Sequence, residues 1–207
     1  MVIGLIVLAA VVGLVGFGIV AFNKLRMLDI GSQEALSGID VQLTRRADLI
    51  PNLVNTVQGY AQHEKGVFEE VTKARAGVKE AADHGTVEEK SAAQARLDHA
   101  IIDVLAVAEA YPDLKATVNF QQLQTALTET EDQLAFARQY YNDAVSQQNK
   151  TVRTIPWLFF TGIAGVSTRE FYDAPDGQAT APTVNFNQAA PAAPGATPEP
   201  PATPPTP

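Results

Sequence analysis

The chain has 207 residues, a formal net charge of −8 and no cysteine. Its acids and bases are interspersed, leaving no basic stripe to displace phosphate counterions, so nucleic acid is not an expected partner. Without thiols, disulfides, thiolate zinc sites, iron–sulfur clusters and a cysteine nucleophile are excluded.

Residues Met1 to Phe22 carry no charged side chain, and Lys24 and Arg26 follow at once. At about 1.5 Å of rise per residue such a helix is roughly 33 Å long, enough to cross a hydrocarbon core of about 30 Å. No basic residue precedes the apolar run and no clear small-x-small site precedes Lys24, which disfavours a cleaved signal. Residues 1–23 are therefore read as a transmembrane anchor, with the lipid bilayer as partner through residues 1–22. Lys24 and Arg26 place the following domain on the cytoplasmic side by the positive-inside rule. The glycines of the run, Gly13, Gly16 and Gly18 among them, suit contact between helices in a bilayer.

The region 24–173 has the size of one ordinary domain. Two rows of residues spaced by seven run through its first part. One is Leu36, Leu43, Ile50, Val57, Glu64, Val71 and Val78; the other is Ile39, Arg46, Leu53, Tyr60, Val67 and Ala74. A seam in one register predicts helices packed in a bundle or coiled coil. Pro51 falls inside without shifting the phase, so one long helix bent or broken near Pro51 is expected from about Lys24 to Ala82. His84–Gly85 ends it.

Thr86 and Glu89 have the spacing of a capping box, predicting a helix from there to about Ala110 that buries Leu97, Ile101, Val104, Leu105 and Ala108. Tyr111–Pro112 turns the chain. A last helix then carries Phe120, Leu123, Leu127, Leu134, Ala137, Tyr141, Ala144 and Val145 at helical spacing to about Val152. Strand alternation and hairpin dipeptides are absent. The fold class is all-α: an antiparallel up-and-down bundle of three to four long helices after an N-terminal transmembrane helix.

Arg46 and Glu64 interrupt the apolar rows, and a charge in a bundle core is costly unless paired. The last helix offers Glu131 and Arg138, seven residues apart. The expected polar layer joins Arg46, or its neighbour Arg45, to Glu131, and Glu64 to Arg138, setting helix register rather than performing chemistry.

The stretch 40–54 (DVQLTRRADLIPNLV), then 60–64 (YAQHE) and 110–114 (AYPDL), resembles the signature of the LemA family, as do Glu131, Arg138, Tyr141, Asn142, Asn149 and Pro156. The resemblance implies an N-anchored all-α bundle on a bacterial cell membrane, in a family without established enzymatic activity. It singles out Arg45, Arg46, Pro51, Asn52, His63, Glu64, Tyr111, Pro112, Glu131, Arg138, Tyr141 and Asn142 as motif positions. Of these, Arg45, Arg46, Asn52, His63, Glu64, Glu131, Arg138, Tyr141 and Asn142 are the candidate polar-layer or interaction residues.

Enzyme patterns are weak. His63–Glu64 lacks the second histidine of HExxH, since position 67 is Val, and paired ExxH motifs, a P-loop, GxGxxG and GxSxG do not occur. No cofactor, metal or catalysis is expected; chemistry at His63 and Glu64 is the alternative of another class. A pilin-like subunit would carry an early glutamate in its apolar start, and this chain has none.

The apolar stretch Ile155 to Val166 is too short to cross a bilayer as a helix. Trp157, Phe159 and Phe160 between Arg153 and Arg169 suit either a membrane interface or the end of the bundle. Residues 174–207, which contain ten of the thirteen prolines, are expected to be disordered. They would act as a spacer, a ligand for a proline-binding module or a glycosylated stalk. The sequence thus predicts a membrane-anchored scaffold or interaction module with an unidentified protein partner, or a homo-oligomerising coiled coil.

Overall fold

The computed structural model describes residues 1–172. Every regular element among them is helical: α1 (Val2–Gln58), α2 (Lys65–His84), α3 (Val87–Glu109), the single turn α4 (Pro112–Lys115), α5 (Val118–Val152), a 3-10 turn (Trp157–Phe160) and α6 (Thr161–Ala164). The expected tail lies outside the described residues.

The 57 residues of α1 make a helix about 85 Å long. Its first part is apolar and exposed, and its second part is the central column of the bundle. The expected boundary at residue 23 falls inside this one continuous helix. α2 returns antiparallel to α1, α3 runs antiparallel to α2, and α5 lies antiparallel along α1, giving an up-down-up-down arrangement.

The core is drawn from all four long helices: Ile39, Leu43, Ile50, Leu53 and Val57 of α1, Phe68, Val71 and Val78 of α2, Leu97, Ile101 and Val104 of α3, and Leu134, Tyr141 and Val145 of α5. Each such side chain contributes about 1.5–3 kcal/mol by leaving water. A second, smaller cluster joins Leu25 of α1 to Val152, Ala164 and Val166, with Trp157 and Phe160 packed against it.

The single long element expected over Lys24–Ala82 is corrected. The chain reverses between Gln58 and Lys65, so the two halves of the heptad rows lie on opposite arms of a hairpin. Glu64, placed in the seam by its spacing, is exposed in this turn. Pro51 does not break α1; it is exposed, and the helix passes through it. The Ala47 carbonyl, which a residue-51 amide would otherwise bond, accepts Nε of Arg75 from α2 at 3.0 Å.

The expected start of α3 is present in full. Glu89 N–H donates to Thr86 Oγ1 at 3.2 Å, and Thr86 N–H donates to Glu89 Oε2 at 2.7 Å. Accepting the Thr86 N–H, with the Thr86 side chain adding to the effect, lowers the Glu89 carboxyl below its ordinary value. The turn before it depends on Gly85, where a Cβ would come within 2.6 Å of the Ala81 carbonyl oxygen. Gly165, with φ +64°, reverses the chain after α6 into an extended strap, residues 166–172.

Candidate functional site

A charged layer crosses the middle of the bundle. Arg46 is only 7% exposed, on the α1 face that also buries Leu43, Ala47 and Ile50. Its Nη1 meets Asp98 Oδ1 of α3 at 2.5 Å and also pairs with Glu131 of α5. The other Glu131 oxygen accepts Nη2 of Arg138, seven residues along the same helix, at 3.2 Å. Two guanidinium groups thus face two carboxylates, which offsets part of the cost of desolvating four charges. Burial pushes the Asp98 carboxyl above its ordinary value, while Arg46 pulls it back; Glu131 adds to the rise, and Gln94 and Arg138 oppose it. Nε of Arg46 and Nη1 of Arg138 are buried without an acceptor. Nearby, Lys90 of α3 pairs with Asp40 of α1 and donates to the Ala82 carbonyl of α2 at 2.8 Å, tying three helices together.

The strap is held against α5 by side-chain amides. Asn142 accepts from Tyr172 N–H at 2.8 Å and donates to the Tyr172 carbonyl at 3.0 Å. Asn149 does the same to Arg169, with both bonds at 2.9 Å. The geometry matches because seven residues of helix advance about 10.5 Å, while three residues of extended chain advance about 10 Å. Tyr141 donates its hydroxyl to the Glu170 carbonyl at 2.9 Å, and Gln148 donates to the Ser167 carbonyl at 2.8 Å. Arg169 then reaches Asp29 of α1, Nη2 to Oδ1 at 2.8 Å.

The layer and the strap form one closed circuit. From Asp98 it passes to Gln94, at 3.4 Å, whose Oε1 accepts the Tyr172 hydroxyl at 3.0 Å. Tyr172 returns through its backbone to Asn142 on α5. Burial raises the hydroxyl pKa of both Tyr141 and Tyr172, keeping each a donor at neutral pH.

Of the residues expected to act together, Arg46, Glu131 and Arg138 meet in the layer, and Tyr141 and Asn142 hold the strap. Arg45 lies outside, donating to Gln133 of α5 at 3.2 Å. Asn52 is exposed beside Asn55 and Asn119 in a groove between α1 and α5. His63 and Glu64 are exposed at the tip of the α1–α2 turn, and the expected Glu64–Arg138 pair is replaced by Glu131–Arg138. Reversal of the chain carries Glu64 to the bundle end, away from mid-α5. Asp98, Gln94, Lys90 and Tyr172 went unnoticed in the sequence; the only signal was a polar residue at a buried phase of α3, at Lys90 and Gln94. Among the described residues, no group of three or more His, Asp or Glu is placed to hold a metal ion.

Magnetosome proteins MamQ 1 and MamQ 2 of Paramagnetospirillum magneticum are each 23% identical over 186 residues, spanning 79% of this chain and 68% of theirs. Magnetosome protein MamQ of Magnetospirillum gryphiswaldense is 22% identical over 164 residues, spanning 68% of this chain and 60% of its own. The LemA family matches residues 35–186, a stretch holding the charged layer, both clamping asparagines and the strap, and this chain belongs to that family.

Proposed function

We propose that this protein is a single-pass membrane protein, anchored through residues 1–22 in the bacterial cell membrane. Its bundle acts as a scaffold or protein-interaction module without catalysis, and lies on the cytoplasmic side. The observation that carries this reading is the continuity of α1, which leads from the apolar segment into the centre of the bundle without a break. A flexible tether would let the domain tumble; a continuous helix holds it at a set height over the bilayer. The charged layer supports a structural role, because its carboxylates are engaged by arginines inside the bundle instead of lining an open cleft.

A second reading within the same class, self-association, is favoured by the exposure of Phe136 (71%) and Tyr140 (60%) beside a groove between α1 and α5. Photo-crosslinking amino acids placed at Tyr140 and at Ile102, exposed on α5 and α3, test both in intact cells. A scaffold yields discrete protein adducts that persist when His63→Ala and Glu64→Gln are added. An adduct at twice the 22.1 kDa chain mass selects self-association. Failure of both positions to give any adduct overturns the reading.

A further inference from the structure

The segment after α5 has a property that packing alone does not account for. From Thr154 to Thr168 it contains no charged residue, and Arg153 and Arg169 bracket it. One side of it is used: Trp157 stacks on Phe17 of α1 at 6.1 Å between ring centroids, Phe160 meets the same ring edge-on at 5.7 Å, and the Phe160 ring lies against Gly18. Lys24 Nζ sits 4.5 Å from the centre of the Trp157 ring. The other side is bare, with Ile155 72%, Phe159 71%, Ile163 76% and Leu158 47% exposed. Four adjoining large apolar side chains facing water would be a sticky patch.

Its position along α1 says what covers that face. Phe22 is the last residue of the apolar run, and Gly18 and Phe17 lie four and five residues inside it. At about 1.5 Å per residue, the rings of Phe160 and Trp157 meet α1 roughly 6–8 Å below the end of the apolar segment. An interfacial helix buries its apolar face about 5–10 Å into the headgroup–acyl boundary, which is the same depth. Lys24 above the indole marks the level of the headgroups, where aromatic and basic side chains collect. A shallow groove lined by Val15, Gly18, Ile19, Phe22, Phe160 and Ile163 continues the surface of α1 into that of the segment.

The backbone is prepared for such a place. Leu158 N–H bonds the Thr154 carbonyl at 2.9 Å, Phe159 N–H the Pro156 carbonyl at 3.3 Å and Val166 N–H the Thr161 carbonyl at 3.1 Å. Thr161 turns its hydroxyl inward to the Leu158 carbonyl at 2.9 Å. Local bonding of this kind is what a lipid-facing segment requires.

We propose that residues 155–164 are a second membrane contact: a short aromatic foot inserted into the interfacial layer of the bilayer beside α1, with Ile155, Leu158, Phe159 and Ile163 in the acyl chains. The inference rests on the reading of α1 as a membrane span. Its occupant is lipid, and its effect is mechanical. A helix crossing a bilayer alone is free to tilt and rotate, whereas a second contact to one side fixes the rotation of α1 and so which face of the bundle meets the membrane.

Trp157 is the only tryptophan of the chain, which makes its emission a direct probe. The full-length protein is reconstituted in vesicles of phosphatidylcholine and phosphatidylglycerol, with lipids brominated either near the headgroup or near the chain end. A second form carries the reporter on the bare face, as Phe159→Trp in a Trp157→Phe background. Flotation of the vesicles reports the anchor separately. The expected result is flotation, weak quenching by aqueous iodide and, for both reporters, quenching by shallow bromine at least ~2-fold that by deep bromine. Flotation with strong iodide quenching and no bromine quenching overturns the foot and leaves the anchor standing. Flotation with protection from both quenchers means that protein, such as a second copy, covers the face, and also overturns the lipid assignment. Failure to float overturns the anchor and the foot together.

Discussion

Arg75 donates its Nε to the carbonyl of Ala47 at 3.0 Å, across the α1–α2 interface and one turn before Pro51. Proline removes the amide that would have reached that carbonyl. A defect in one helix therefore becomes an attachment point for its neighbour, and the two changes should be coupled. Arg75→Met is expected to cost about 1.5–3 kcal/mol in the natural chain. It should cost about 1 kcal/mol less when Pro51→Ala restores the amide. Denaturant titration of the four detergent-solubilised proteins of this cycle measures the coupling, and additive losses would refute it.

Asn142 should be the more demanding of the two strap clamps, because Tyr172 carries the circuit on to Gln94. Asn142→Ala leaves the Tyr172 N–H and C=O without their partner, a loss of about 1–3 kcal/mol for each buried group. Asn142→Asp is expected to be worse still: its carboxylate can accept from Tyr172 N–H but sets a negative oxygen against the Tyr172 carbonyl. Hydrogen exchange at the Tyr172 amide reads the release, with Arg169, held by Asn149, as the internal control. Equal exchange in Asn142→Ala and the natural chain would mean that burial of the Tyr172 ring alone holds the strap.

Asp98 links stability to pH. Burial raises its carboxyl above the ordinary 3.8, with Arg46 opposing the rise. The folded chain therefore keeps a proton on Asp98 at pH values where the unfolded chain has released it. That contribution to stability is complete below the ordinary pKa and is lost as pH rises through the raised one. Asp98→Asn cannot titrate, so its stability relative to the natural chain should improve as pH climbs through this window and then level off. A difference that stays constant with pH would show that Arg46 and Gln94 cancel the desolvation.

Sidedness can be read with a single thiol, since the chain has no cysteine. His99→Cys places one on the exposed face of α3. If the bundle lies on the cytoplasmic side, as proposed from Lys24 and Arg26, a membrane-impermeant maleimide labels it only after cell lysis. Labelling of intact cells would put the bundle on the outer side.

Much of the architecture was legible in one dimension. An uncharged run of membrane length is a local property, and so are the Thr86–Glu89 capping box and the helical spacing of Phe120 to Val145. The α1–α2 hairpin was not legible, because a heptad phase records only that a position is buried. Leu43 and Val71 satisfy the same row whether the chain continues straight or folds back, provided both arms face one core. The six residues between Gln58 and Lys65 hold neither proline nor a Gly–Asn type turn, and Gly59, which caps α1, was a single weak stop signal for the reversal.

The sequence by itself determined that this chain is an all-α protein with one helix of membrane-spanning length, and that charge at Arg46 had to find a partner. Those conclusions rest on hydropathy, periodicity and desolvation, which act residue by residue. Tertiary structure decided the partners: Asp98 and Glu131 for Arg46, the turn for Glu64, the Tyr172 backbone for Asn142 and the upper turns of the apolar helix for Trp157. Pairing depends on which helices are neighbours and in which direction they run, and a one-dimensional pattern carries neither.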